Sequence, residues 1–192
     1  MNIGILGGTF NPPHLGHLIV AERVREELGI DKILFIPSAI SPHKQHIQLI
    51  DPTFRMEMVQ LAVLGRQFLV ASDIEIARGG VSYTVDTLEQ LRRMYPGDTF
   101  FLLIGMDNLV EFNTWKSPEK IVELANVVAM TRPGFTPNGV LGEYGKKFIM
   151  CQVPEIEISS SDIRARVKQG KSIRFLVPKP VESYIYFRKL YR

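Results

Sequence analysis

An α/β fold is what the 192 residues predict: a doubly wound parallel sheet with helices on both faces and a small helical C-terminal portion. Apolar runs of strand length alternate with stretches of helical spacing through most of the chain. The strand cores, ILFI and FFLLI among them, are apolar at consecutive positions, the pattern of strands buried on both sides. From about residue 159 to 192 the signal turns to helix alone.

Residues 2–6 read as a first buried strand. Residues 16–28 place Ala21, Val24 and Leu28 at helical spacing, and Gly29 offers the left-handed stop that ends many helices. Residues 32–36 form a second strand closed by Pro37, followed by a polar loop with Pro42, His43, Lys44 and His46. A helix over 53–64, a third strand over 68–71, a helix over 84–94, a fourth strand over 99–104 and a fifth over 127–130 continue the alternation. The stretch 133–145 is the most linker-like piece and is short, so 1–192 is expected to be one domain. Helices over 161–168 and 181–190 close the chain. The whole is Rossmann-like.

Composition narrows the function classes. Cys151 is the only cysteine, which excludes a disulfide scaffold and suits a reducing, cytoplasmic setting. The N-terminus MNIGILGGTF lacks a basic segment followed by a long apolar one, and no run approaches the length of a membrane span, so neither secretion nor a membrane partner is expected. Twenty-three Lys and Arg against 20 Asp and Glu leave a net charge of +3. That is compatible with a phosphate-bearing ligand and too weak to argue for nucleic acid. Composition sets no oligomeric state.

In an open α/β sheet, ligands sit beyond the carboxyl ends of the strands, which directs attention to the loop GGTFNPPHLGH at 7–17. Its glycines let backbone approach a ligand, its prolines stiffen the excursion, and Gly16 keeps the helix start bare beside two imidazoles. Exposed N–H groups at a helix N-terminus favour an anion. The spacing matches neither GxGxxG nor GxxxxGK[ST]. His14 and His17 are three apart and can share one side of a helical first turn. They are open to a structural, a metal or a phosphate role. His43 and His46 repeat the spacing, but no acidic residue or cysteine stands close to complete a metal site, which favours phosphate. Near the other end, Ser159 and Asp162 are spaced as a capping box, while a serine-rich helix start followed by Arg164 is also an anion site. Trp115, the one tryptophan, lies in a polar stretch and so at a rim or pocket, unless it pins Pro118 or a helix. Thr84 and Asp107 each have a local reading as an N-cap.

Together, GGTFNPPHLGH after the first strand and ISSSDIR near the C-terminus resemble the nucleotidyltransferase superfamily with (H/T)xGH and SST-x-I-R-like signatures. Within it, PHK at 42–44, SYT at 82–84, GMDNLVEFNTW at 105–115 and TRPG at 131–134 are similar to the bacterial nicotinate-nucleotide adenylyltransferase family. The resemblance runs in order from residue 1 to about 166. Asn11 stands where many members carry Asp, and Ser161 where Thr is usual; both stay polar.

The resemblance implies transfer of AMP from ATP to nicotinate mononucleotide, giving deamido-NAD and pyrophosphate, with Mg²⁺ accompanying ATP and no metal ligand assigned to the protein. It implies catalytic roles for His14, His17 and Arg164. ATP would be held by Gly8, Thr9, Phe10, His14, His17, Gly105, Asp107, Ser159, Ser160, Ser161 and Arg164. The acceptor would be held by Lys44, Tyr83, Thr84, Asp107, Trp115 and Arg132, with Trp115 stacked on the pyridine ring and backbone N–H groups near Thr84 receiving its carboxylate. Such a reaction needs no general base, because a phosphate monoester with a second pKa of about 6 is already largely ionised at neutral pH. It needs donors and cations that hold two anions in line. The rivals are a sister enzyme acting on phosphopantetheine or on an alcohol phosphate, and a non-catalytic nucleotide- or RNA-binding domain. Clustered basic residues with interleaved aromatics, the mark of the latter, occur only in the tail YIYFRKLYR, whose apolar positions fit a packing face.

Overall fold

The computed structural model describes residues 1–42, 49–131 and 144–192. Strands β1 (Asn2–Gly8), β2 (Lys32–Pro37), β3 (Leu69–Ala71), β4 (Thr99–Gly105), β5 (Asn126–Thr131) and β6 (Phe148–Gln152) form one parallel sheet in the order β3-β2-β1-β4-β5-β6. The chain winds outward from β1 to β3, then crosses to β4 on the other side of β1. The order therefore reverses between β1 and β4, and a crevice opens beyond their carboxyl ends. The helices are α1 (Leu15–Leu28), α2 (Pro52–Val63), α3 (Ile74–Arg78), α4 (Thr84–Met94), α5 (Met106–Glu111), α6 (Pro118–Leu124), α7 (Ser160–Lys168) and α8 (Lys179–Phe187).

Strand periodicity sorts the core into two layers. Ile3, Ile5, Leu34, Ile36, Leu102, Ile104, Val127 and Ala129 face Leu88, Leu91, Leu109 and Ile121 of α4, α5 and α6. The intervening Leu6, Ile33, Phe35, Leu103 and Val128 face Leu18, Ala21 and Val24 of α1 and Val59 and Val63 of α2. At Gly4 a Cβ would lie 2.8 Å from Ile33 Cγ1, so only glycine lets β1 pass that side chain. Helix α2 buries two faces. Its Met58 and Ala62 turn away from the sheet to pack with Ile163, Val167, Val181 and Ile185 of α7 and α8. The C-terminal helices thus rest on a helix, and through it on the sheet.

Several elements were not anticipated. Strand β6 is a five-residue edge strand in which only Phe148 and Cys151 are buried, too weak a pattern to stand out from its loop. Helices α3, α5 and α6 are short, two turns or less, and with no side-chain N-cap they depend on packing against the rest of the fold. Strand β1 runs on through Gly7 and Gly8, which the sequence reads as loop, because Ile36 and Pro37 of β2 pair with them. Gly29 does end α1 in the left-handed conformation, its N–H donating to the Arg25 carbonyl.

Candidate active site

The loop after β1 is held from below. Phe10 adopts φ 45°, unusual for a bulky side chain, and its ring is buried, with the Phe35 centroid at 5.7 Å and that of His17 edge-on at 5.0 Å. Asn11, 2% exposed, accepts hydrogen bonds from the Tyr191 hydroxyl at Oδ1 (2.8 Å) and from Arg164 Nη1 at its carbonyl (2.8 Å). The Ser160 hydroxyl donates to the Pro12 carbonyl at 2.7 Å. From the other side, the buried Arg55 donates to the Thr9 carbonyl at 2.9 Å. The C-terminal helical layer and α2 together shape this loop.

His14 is the N-cap of α1, and its ring lies against that of His17 with centroids 3.7 Å apart. A Cβ at residue 16 would sit 3.0 Å from His14 Nδ1, which is why a glycine occupies that place. The His14 backbone N–H donates to His17 Nδ1 at 3.1 Å. Neutral His17 therefore carries its proton on Nε2, the donor a phosphate oxygen requires. His14 is almost fully enclosed, and burial pushes its imidazole pKa down to about 4. That burial favours the neutral imidazole at physiological pH.

Two clefts flank these segments. The first, about 240 Å³, is lined by Gly7, Gly8 and Thr9, by Ser38, by Ser82, Tyr83 and Thr84 at the start of α4, and by Trp115 and Lys116. The second, about 250 Å³, is lined by His14, Gly16, His17, Gly105, Met106, Asp107 and the 153–156 segment. Each draws on the loop after β1 and on the end of β4, the former through Leu102–Ile104 and the latter through Gly105 onward. Two ligands would meet at the switch point.

Of the residues singled out from sequence, Tyr83, Thr84 and Trp115 come together in the first cleft, and His14, His17, Gly105 and Asp107 in the second. Gly8 and Thr9, assigned to ATP, line the cleft that holds the acceptor residues. Asp107, assigned to both ligands, lines only the second. Thr84 and Asp107 are not N-caps: those places fall to Tyr83 and Gly105, neither with a side-chain cap, so the α4 first turn presents backbone N–H groups. Ser159 is an N-cap, accepting from the Asp162 N–H at 3.1 Å. Ser159, Ser160, Ser161 and Arg164 line neither cleft; Arg164 Nη2 donates to the Ser161 hydroxyl at 3.1 Å. Lys44 and Arg132, with His43 and His46, lie outside the described residues.

Trp115 is half-buried, its ring 5.3 Å from that of Phe112 and open to the cleft on one side. Lys116, which sequence reasoning passed over, places Nζ 3.0 and 3.1 Å from the Asp86 carboxylate oxygens and 4.6 Å from the Tyr83 ring centre. Ser38 was also missed; its hydroxyl is buried against the first cleft with no hydrogen-bond partner among the described residues. Neither residue carries a spacing signal, because the sheet brings each to the cleft from a different strand or loop. Among the described residues no helix is long and apolar enough to cross a membrane.

Comparison with known proteins agrees with this geometry. The cytidylyltransferase-like family model matches residues 5–166. A Desulfitobacterium hafniense (strain Y51) protein named "Probable nicotinate-nucleotide adenylyltransferase" is 42% identical over 197 residues, covering 99% of this chain and 95% of its own. A protein of the same name from Exiguobacterium sibiricum is 43% identical over 191 residues, covering 100% and 99%. Among solved structures, the Plasmodium falciparum nicotinic acid mononucleotide adenylyltransferase complexed with NaAD superposes with a TM-score of 0.81 over 99% of this chain and 97% of that one; at 21% identity this is a likeness of fold. Similarity that runs through both cleft-forming segments and the whole length of the relatives leaves one conclusion: the chain belongs to the cytidylyltransferase-like family and, within it, to the nicotinate-nucleotide adenylyltransferases.

Proposed function

We propose that the protein transfers AMP from ATP to nicotinate mononucleotide, releasing pyrophosphate and forming nicotinate adenine dinucleotide. The observation that carries this reading is the pair of clefts beyond the carboxyl ends of β1 and β4, one with a flat aromatic wall and a helix N-terminus, the other with the imidazoles and Asp107. The acceptor occupies the first. Its pyridine ring lies on Trp115, and its carboxylate meets the α4 N-terminus, where the macrodipole and unpaired N–H groups favour a negative charge. Lys116 adds positive charge at the same wall. ATP occupies the second, with its α-phosphate at the imidazoles.

The acceptor phosphate attacks the α-phosphorus as the bond to pyrophosphate breaks, and charge grows on the oxygens of both groups. His17 Nε2–H, the loop amides of Gly8 to Phe10, and Arg164 are the donors assigned to that charge, joined by Lys44 and Arg132. Fixed donors need no reorganisation as the charge shifts, and enclosure of the His14 ring strengthens its contact. Mg²⁺ bound with ATP would supply positive charge to its phosphates, and Asp107 and Glu155, which line that cleft, are the residues that would face it.

The test is ATP-dependent pyrophosphate release with nicotinate mononucleotide, its amide counterpart and phosphopantetheine as parallel acceptors. The acid form is expected to be consumed at least about tenfold faster than the amide, because donors arranged for a carboxylate pair poorly with a neutral amide. Equal rates, or a preference for phosphopantetheine, would overturn the assignment.

A further inference from the structure

Among the described residues Arg55 is one of the largest side chains with no exposed surface, and it has no place in the chemistry described so far. It projects from the first turns of α2, whose start is capped by Asp51 accepting from the Thr53 N–H at 2.7 Å. Its guanidinium hydrogen bonds all end on backbone carbonyls: Nη1 to Thr9 (2.9 Å), Nη2 to Ala39 (3.1 Å) and Nε to Ile50 (3.3 Å). Taking such a cation out of water is costly, and three carbonyl dipoles in a planar fork are what make it tolerable. The same bonds restrain the peptides they hold. In a trans peptide the C=O and the following N–H point in opposite directions, so holding the Thr9 carbonyl inward aims the Phe10 N–H away from Arg55. The neighbouring residues show the need for restraint. Phe10 sits at φ 45°, a conformation that a bulky side chain keeps only where its surroundings over-determine it. Past it, Asn11 is pinned by Tyr191 and Arg164, and Tyr191 lies close enough to both Arg55 and Arg164 to feel their charge. Ala39, the other end of the fork, follows Ser38 in the wall of the first cleft and donates its N–H to the Ser82 hydroxyl at 2.9 Å.

We propose that Arg55 is a positioning residue for AMP transfer, holding the Thr9 to Asn11 loop in its strained conformation and tying it to the neighbouring Ser38–Ala39 segment of the acceptor-cleft wall, with Tyr191 as a second clamp on the same loop. The proposal rests on the adenylyl-transfer reading. Donors that serve the transition state lose most when their aim is lost, so the effect falls on kcat more than on KM.

Pyrophosphate release by the full-length protein, with melting temperature measured alongside, separates positioning from mere support. Arg55→Lys keeps the charge but cannot span three carbonyls. At a temperature where the variant is folded, its kcat is expected to fall about tenfold or more, with both KM values within about threefold of wild type. Tyr191→Phe removes one hydroxyl and is expected to lower kcat about threefold or more with the same split. A folded Arg55→Lys with wild-type kcat, or with raised KM values and unchanged kcat, overturns the proposal. If Arg55→Lys does not fold, Tyr191→Phe decides: wild-type kcat in that variant overturns it. A wild-type protein that releases no pyrophosphate from any acceptor defeats the functional reading itself, and this inference with it.

Discussion

His14 shows how one side chain links stability to the site. Its enclosure favours the neutral imidazole, lowering the folded pKa to about 4 from an unfolded value near 6.5. Between those values the unfolded chain binds a proton that the folded one does not, so stability rises with pH. The contribution is complete above pH 6.5, is lost progressively as pH falls, and is gone below about pH 4; a shift of this size corresponds to about 3 kcal/mol. Melting temperatures measured across this window should drop towards acid in the wild type, and His14→Gln should flatten that part of the curve. An unchanged slope in the variant would mean that His14 already ionises freely in the folded protein.

At the scale of an element, α7 carries both a helix cap and the arginine proposed to act on phosphate. Its N-cap is Ser159, and its second turn carries Arg164, which reaches the Asn11 carbonyl 153 residues away in sequence. Ser159→Ala should therefore cost about 1 kcal/mol of stability, the usual worth of a lost cap, with kcat nearly unchanged. Arg164→Ala should do the reverse, lowering kcat by about tenfold or more and raising the KM for ATP while the melting temperature moves little, and Arg164→Lys should restore only part, since a point charge cannot grip two acceptors at once. Thermal melts and steady-state kinetics on the three variants test this. Unchanged kinetics in Arg164→Ala would leave α7 with packing alone.

For the whole molecule, the decisive feature is that the strand order reverses between β1 and β4, giving two clefts that share segments but have different walls. Substitutions in one should register mainly on the substrate it holds. Trp115→Ala is expected to raise the KM for nicotinate mononucleotide about tenfold or more while leaving the KM for ATP nearly unchanged, since a lost aromatic face removes binding that ground and transition states share. His17→Ala should instead lower kcat by about 10²-fold, the scale of one missing transition-state donor. Steady-state kinetics with each substrate varied in turn would show the split, and equal effects on both KM values in Trp115→Ala would mark that ring as support.

Much of this was legible along the chain. The α/β class, the parallel sheet, β1 to β5 within a few residues, and α1, α2, α4 and α7 follow from consecutive apolar runs, helical spacing and caps, all of which are local signals. Parts of GGTFNPPHLGH, SYT and the Trp115 segment that line the clefts were also legible, the first from its glycines and histidine spacing and the others from the family resemblance, whereas ISSSDIR, read as a cap and an anion site, supplies the cap and lines neither cleft. What local signals do not contain is the pairing of distant segments. Strand β6 exists as an edge strand because β5 offers it a ladder, and α2 is apolar on two sides because a second helical layer lies behind it. Arg55 looks like any helical arginine until the fold buries it under Thr9 and Ala39, and Tyr191 looks like part of a packing face until it meets Asn11. Local pattern along the chain is enough for the class of fold and for naming the candidate phosphate-handling residues. Which cleft each residue lines, and what holds the loop after β1, depend on segments far apart in the chain, because hydrogen bonds to backbone carbonyls leave no mark on the identity of the residue that accepts them.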